Sequence, residues 1–526
     1  MEGQIPFIHA QTDADVTASG DFDIQRNKSK IGSTSFTNTA QKSIRAKRYS
    51  VFNYLNADEA SNVGLDKIIK SYPLNTLTYG NSGTPNCGTT TPYTRTSGNA
   101  KPYHISEASI LKTDGSRYVF GLPVYNLKQK DVSFSTTDNL ITADSAYINY
   151  NSGDNSINNS QGRDNLFDAQ TVPAYAHSFL LTGVLSDDYV DVKGDGITDD
   201  DLGNAVKFNY TKTTDVKPFK WRTPVVLNSA RQMSGLKVDP FDNRASYVYG
   251  EKDMWYMHSI ESRNMVAQFY VSTAADTSKR RDSYGVLGEN GGVDTLQMLR
   301  KLDSIKIYSK SDLLMNGASA VPIKVVRFEY DYSLCPNTPN SINKINGTLQ
   351  GKLTLTKVYF TFGTNQKGKL NAYKFSYKST NGVTPFSYDS NGIDRWGNYK
   401  PKRVSDSLKL PANNDFPYSI QDQNTANTYA GAWNLNKIDL PSGGSISVNF
   451  ESNDYAYIQN KKAGQIFFIK GFSSAALGTV VPNLYTGPGF PFGTTVNNNF
   501  IAIDVSQYSS ALAGLTDLQI AKLFLT

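Results

Sequence analysis

Lys324-Val-Val-Arg-Phe-Glu-Tyr-Asp-Tyr332 alternates more cleanly than any other stretch of the chain. Val326, Phe328, Tyr330 and Tyr332 fall on one row and Val325, Arg327, Glu329 and Asp331 on the other. Successive strand side chains point to opposite faces, so the pattern predicts a strand with one face on a core and one in water, as antiparallel sheets allow. Similar alternation occurs at Val206, Phe208, Tyr210, at Tyr373, Phe375, Tyr377 and at Ile446, Val448, Phe450. Between Leu353, Leu355 and Val358, Phe360, Phe362 the phase slips by one residue, which predicts a bulge if the strand is continuous. Asn-Gly dipeptides begin at residues 290, 316, 346, 381 and 391 and supply the positive-φ positions of tight hairpins. The expected fold is all-β with minor helix, its antiparallel sheets forming a β-sandwich or a curled sheet, in several domains.

Composition agrees. The 526 residues include 47 acidic ones, of which eight are Glu, so 47 − 8 = 39 are Asp, a residue of turns and caps rather than helix interiors. Tyr (32) and Phe (26) far outnumber Met (7), as suits half-buried strands. Charged residues at 19% and apolar ones at 39% exclude a solvated disordered chain and a membrane protein, and no apolar run approaches a membrane span. The net charge, 53 − 47 = +6, is spread along the chain, so no nucleic-acid partner is expected. Cys87 and Cys335 are too few for a disulfide framework. The start, MEGQIPFIHA, lacks the features of a secretory signal, and the expectation is a segment of a longer chain whose export signal lies elsewhere.

Three regions are expected. Residues 1–102 are an extended N-terminal segment with a helix from Asn56 to Tyr72, capped at Asn56 or Asp58 and stopped by Pro73, and a low-complexity loop from Asn81 to Pro102. Residues 103–430 form the antiparallel core, with an exposed loop from Asn151 to Asn165. Residues 431–526 are a C-terminal β segment closed by a helix, signalled by Thr516 and Gln519 at capping-box spacing.

Catalytic motifs are sparse. Gly363-Thr-Asn-Gln-Lys-Gly368-Lys369 approaches a phosphate loop, but Leu370 replaces the hydroxyl and the flanks are strands, so a turn is expected. The histidines are His9, His104, His177 and His258, and His258, among aromatics, reads as structural. The one chemical site lies between Asp187 and Asp201, where seven of fifteen residues are Asp. Asp191-Val-Lys-Gly-Asp195-Gly196-Ile197-Thr-Asp199-Asp200-Asp201 is similar to the Asp-x-Asn-x-Asp-Gly calcium loops of secreted proteins. Lys193 replaces one ligand and Leu202 stands where an EF-hand has Glu. The expected ligands are Asp191, Asp195, the Ile197 carbonyl and Asp199 with Asp200 or Asp201, around a structural calcium.

Tyr388-Asp389-Ser-Asn391-Gly392, followed by Asp394-Arg395-Trp396-Gly397, resembles the Tyr-Asp-x-x-Gly signature of RHS/YD-repeat proteins. Asn391-Gly392 is expected to turn a hairpin over Trp396. The strand-rich surroundings resemble regions of very large secreted surface proteins of Bacteroidota. The resemblance implies an extracellular or cell-surface, non-enzymatic structural or binding portion of a large exported protein, flanking an RHS/YD array. Its partners would be neighbouring domains of the same chain and a surface glycan or protein. Two alternatives accompany it: a carbohydrate-binding or carbohydrate-active module that stacks sugars on Trp221, Trp255, Trp396 or Trp433, and the wall of a toxin-enclosing RHS-like shell.

Overall fold

The computed structural model describes residues 50–78, 89–136, 147–213, 217–233, 243–273, 282–342, 344–345, 348–380, 382, 384–390, 392, 398–399, 423–453, 457–458, 461–462, 468–476, 478–486, 496–504, 514–516 and 519. They form antiparallel sheets with four short helices, an all-β fold. One path of thirteen strands dominates: β1 (Ser50–Asn56), β2 (Ile105–Lys112), β3 (Arg117–Phe120), β4 (Gly183–Leu185), β5 (Ala205–Lys212), β6 (Trp255–Glu261), β7 (Met265–Val271), β8 (Leu302–Ser309), β9 (Lys324–Leu334), β10 (Lys352–Phe362), β11 (Tyr373–Tyr377), β12 (Leu435–Asp439) and β13 (Ser445–Ser447). Each pairs with the next in this order, so the sheet grows by adding the next strand in sequence to an open edge. The same sheet holds strands on both sides of residues 102/103 and 430/431.

The stretch from Lys324 to Tyr332 lies in β9, between β8 and β10. Its two fully buried apolar residues are Val325 (2% exposed) and Tyr332 (7%), which stand on opposite rows. The expectation of one buried and one wet face is therefore corrected. The strand changes its covered face along its length, and Glu329 on the charged row is held by Lys357 (3.0 Å) and Lys369 (3.5 Å). The phase slip in β10 is a bulge: Glu329 faces Lys357 and Tyr330 faces Leu355, leaving Thr356 as the extra residue. Thr356 Oγ1 donates to the Glu329 carbonyl at 3.0 Å, occupying a ladder acceptor at the irregularity.

Just after β3 the chain passes through Gly121 into a second sheet. Arg95, 1% exposed, donates to the Gly121 carbonyl (2.8 Å), and the Gly121 N–H donates to Thr182 Oγ1 (3.1 Å). The second sheet is centred on Leu122–Thr136, flanked by Asn243–Lys252 on one side and by Phe167–Val172 and Tyr175–Leu180 on the other. The larger apolar core is here: Val132, Phe134, Ile148, Tyr150, Ala230, Ala245, Tyr247, Tyr249 and Val286. Phe134 and Tyr247 sit edge to face, and Tyr150 stacks on Tyr247 at 6.3 Å, arrangements that aromatic quadrupoles favour. A smaller cluster, Val266, Tyr308 and Leu313, seats helix α3 (Lys310–Asn316) on β7 and β8.

The helix expected from Asn56 to Tyr72 is two pieces, α1 (Ala57–Asn62) and α2 (Leu65–Ile68). Asn56 caps α1 in a reciprocal box with Glu59, whereas Gly64 at φ +82° breaks the helix and Lys70–Ser71 is already a strand. Asn316-Gly317 ends α3 rather than turning a hairpin, while Asn290-Gly291 lies in the turn between strands Tyr284–Val286 and Val293–Met298. Asn346-Gly347 falls between the paired strands Lys344–Ile345 and Thr348–Leu349, outside the described residues. Loop 151–165, expected to be exposed, contains buried Asp154 and Asn159, and Asn159 donates to the carbonyls of Ser135, Asp154 and Leu166. Thr516 and Gln519 make the expected capping contacts; the helix body beyond them lies outside the described residues, as do residues 1–49 and Cys87. No described helix is long and apolar enough to cross a membrane.

Candidate metal loop

The acidic stretch joins β4 to β5, which are hydrogen-bonded neighbours, so it is an enlarged hairpin loop. Val190 and Leu202 pinch its base with two backbone hydrogen bonds of 3.1 Å. Within it Asp191 accepts the N–H groups of Gly194 (2.7 Å) and Gly196 (2.9 Å). Asp201, 8% exposed, accepts those of Val192 (3.2 Å) and Thr198 (2.8 Å) and the Tyr189 hydroxyl (2.8 Å). Burial first, and then this bond to Asp201, raises the Tyr189 pKa well above the usual phenol range. Gly196 is needed twice: its φ is +86°, and a Cβ there would lie 2.4 Å from the Ile68 side chain on α2.

Of the expected ligands, the structure brings together Asp191, Asp195 and Asp201. One carboxylate oxygen from each lies within 4.8 Å of the other two. Oxygens bound to one calcium at about 2.4 Å are separated by at most about 4.8 Å, so the spacing fits a single cation. The other three are engaged elsewhere. Asp199 pairs with Lys310 of α3, and Asp200 pairs with Lys193 (2.8 Å) and accepts from Thr198 Oγ1 (2.6 Å). The Ile197 carbonyl accepts from Lys207 Nζ of β5 at 3.1 Å. Lys193 and Thr198 push the Asp200 carboxyl down to about 2. Lys193 therefore neutralises a neighbour instead of ligating.

Sequence reasoning missed Lys207 and Lys310. Lys310 has no local signal, because α3 reaches the loop only through the tertiary fold, while Lys207 follows the loop on β5 and folds back to it as the hairpin closes. Lys207 is largely buried, which lowers its pKa, with Glu261 acting in the opposite sense. Both lysines line a half-open cleft of about 240 Å³ with Asp199, Asp201, Glu261 and Arg263. Charged groups of both signs stand there beside Tyr189, Ile197 and Ala205, so the cleft is mixed in character.

His258 is 1% exposed and embedded. Its Nε2 lies 3.2 Å from Thr76 Oγ1 and 3.3 Å from Gln268 Nε2, its Nδ1 lies 3.1 Å from Ser259 Oγ, and its ring stacks on Tyr72 at 4.8 Å. Burial pushes it down to about 4, so it is a neutral hydrogen-bonding element of the sheet.

The described tryptophans share no platform. Trp221 is half-buried and covers Gly250, and Trp255 stands edge-on to Tyr93 at 5.8 Å. Trp433 donates to the Phe386 carbonyl at 2.7 Å and packs on Tyr399. In the Tyr-Asp motif, the Gly392 N–H donates to the Asp389 carbonyl at 3.0 Å, closing a tight turn, and the Tyr388 hydroxyl bonds that of Tyr147 in the second sheet. Tyr399 lies against this turn, and a Cβ on Gly392 would come within 3.2 Å of its ring. Asn391, Asp394, Arg395, Trp396 and Gly397 lie outside the described residues.

No family model matches the chain, and no curated protein or solved structure matches it either.

Proposed function

We propose that the chain is a structural or binding portion of a large exported cell-surface protein, related to RHS/YD-repeat arrays, in which an extended sheet is the working element. The main sheet carries this reading: strand is added to strand in sequence order over more than 330 residues, from Lys112 of β2 to Ser447 of β13. Open sheets of more than about ten strands curl, split or flatten, and the broad surface that results suits a wall or shell. A wall around an enclosed toxin is the second reading, favoured by the same sheet length. Protease shaving of intact source cells should release peptides from residues 103–430. Recovery of those peptides only after lysis would overturn the surface assignment, and electron microscopy of the whole protein would distinguish an enclosed shell from an open wall.

In the same reading, Asp191, Asp195 and Asp201 hold a calcium ion that stiffens the loop. Their convergence supports this, since three carboxylates repel one another unless a cation sits between them. Calcium at a hundredfold excess over its dissociation constant would stabilise the fold by about 2.7 kcal/mol. The melting temperature should therefore rise on adding calcium and fall on chelation. Asp195→Asn should abolish the response, because Asp195 is exposed and its one weak bond, from Thr198 Oγ1 at 3.5 Å, contributes little. A wild-type melting curve indifferent to calcium, with no heat of binding, would remove the ion from the account.

A further inference from the structure

We propose that the cavity lined by helix α2 and by strands β2 to β5 of the main sheet binds a small primary amine with a short aliphatic chain, its ammonium held on Glu107. The cavity measures about 220 Å³ and adjoins the acidic loop, with Tyr189, Ile197 and Lys207 shared between it and the charged cleft. Its walls are mainly apolar. Leu65, Ile68 and Ile69 come from α2 and the residue after it, and Val119, Leu185 and Phe208 come from β3, β4 and β5. Sites for drug-sized ligands occupy roughly 300–1,000 Å³, so the chain that fits here is short.

Glu107 of β2 selects an amine. Its Oε2 is buried and has no hydrogen-bond partner among the described residues. Gly121 leaves room beside it, since a Cβ there would lie 3.3 Å from that oxygen. A buried carboxylate oxygen without a donor is destabilising, and a ligand that donates to it removes the penalty. The other polar side chains of the wall are engaged or exposed. Lys207, Tyr189 and Asp191 make the contacts described above, Tyr210 donates to the Leu181 carbonyl (2.7 Å), Thr182 Oγ1 to the Val119 carbonyl (3.1 Å) and Asn209 to Ser259 Oγ (2.9 Å), while Lys70 is exposed. The charge balance also favours a cation. Asp66 of α2 has a buried oxygen without a partner too, and both carboxylates act on Arg95, whose guanidinium donates to Ser106 and Gly121 instead. Two carboxylates thus stand against one buried guanidinium, and Arg117, the other cation near Glu107, is exposed and screened. Burial raises the Glu107 pKa, with Arg95 and Arg117 acting in the opposite sense. An ammonium supplies N–H donors and a positive charge at that oxygen, while its carbon chain covers the apolar wall.

Isothermal titration of the full chain with n-pentylamine at neutral pH should show one saturable site. The same chain length without the positive charge, in n-pentanol and in pentanoate, should bind at least about tenfold more weakly, as expected for losing a charge-assisted hydrogen bond. Glu107→Gln keeps the shape of the side chain and removes its charge, so it should weaken n-pentylamine by about tenfold or more and leave n-pentanol unchanged. Its melting temperature should not fall, because a buried charge has gone. Leu65→Trp fills the cavity from α2 and should abolish amine binding, with circular dichroism checking that both variants keep their strands. No saturable heat with n-pentylamine, pentanoate binding as tightly as the amine, or undiminished binding in the Leu65→Trp variant would each overturn the proposal. So would an amine affinity unchanged by Glu107→Gln, which would place the ammonium on another carboxylate such as Asp191.

Discussion

Arg222→Ala is expected to destabilise the second sheet by about 3–5 kcal/mol, because several buried acceptors lose their donor at about 1–3 kcal/mol each. Arg222 is 2% exposed and acts as a multipoint clamp. Its Nε donates to the Glu289 carbonyl at 2.7 Å, Nη1 donates to the carbonyls of Pro224 and Val226, and Nη2 donates to the Tyr150 hydroxyl at 3.1 Å. The guanidinium also lies 4.3 Å from the centre of the Tyr247 ring. These partners come from the loop after Arg222, from Tyr150 and Tyr247 of the second-sheet core and from the turn between Tyr284–Val286 and Val293–Met298. The alanine variant leaves several buried acceptors unpaired and a void beside Tyr150 and Tyr247. Lysine keeps the charge but not the planar fork, so Arg222→Lys should recover less than half of the loss. The denaturation midpoint should fall with little change in slope, and amide exchange should quicken first in Tyr284–Met298. A loss under about 1 kcal/mol would show that the clamp is dispensable, since that is the worth of one ordinary hydrogen bond.

The same clamp shows what local sequence cannot carry. Arg222 and Glu289 are 67 positions apart, and neither has a distinctive neighbourhood. The features that were legible are local. The phase slip around Thr356 reflects a two-residue period interrupted by one residue, and the Asn56 cap needs only side chains three residues apart. The Asp-Gly core of the acidic loop was likewise visible, because a tight turn and converging carboxylates belong to one short segment. What failed depended on distant chain. Helical periodicity around residues 56–72 ignored that Gly64 takes a left-handed conformation and that Ser71 is drawn into pairing with Tyr210. The expected ligands Asp199 and Ile197 are engaged by Lys310, which arrives on helix α3 from more than a hundred residues away, and by Lys207 of β5, whose reach back to the loop depends on the hairpin closing. Burial of Val325 rather than Val326 has the same origin, because covering elements, not the strand itself, choose the face.

His258 makes the fold acid-sensitive by itself. The ring is neutral in the folded protein down to about pH 4, while in the unfolded chain it takes up a proton near its ordinary value of 6.5. Above pH 6.5 both states hold a neutral ring and the residue contributes no pH dependence. Between 6.5 and about 4 only the unfolded state binds the proton, so stability falls as pH falls, by about 1.4 kcal/mol per unit. The loss over the window is roughly 3 kcal/mol, reached near pH 4 and constant below it. The groups around the ring are Tyr72, Thr76, Ser259 and Gln268, none of which carries a compensating negative charge at these pH values. Carboxylates elsewhere add their own acid dependence, so the measurement is a difference. Urea midpoints of wild type and His258→Gln are compared from pH 7.5 to 4. The variant should start less stable, because its amide fits the Thr76 and Gln268 bonds less well, yet lose roughly 3 kcal/mol less on acidification. Parallel curves across the whole range would mean that His258 titrates in the folded state as it does in water. In that case the packing of residues 72–78 over β6 and β7 would have to be loose enough to admit solvent.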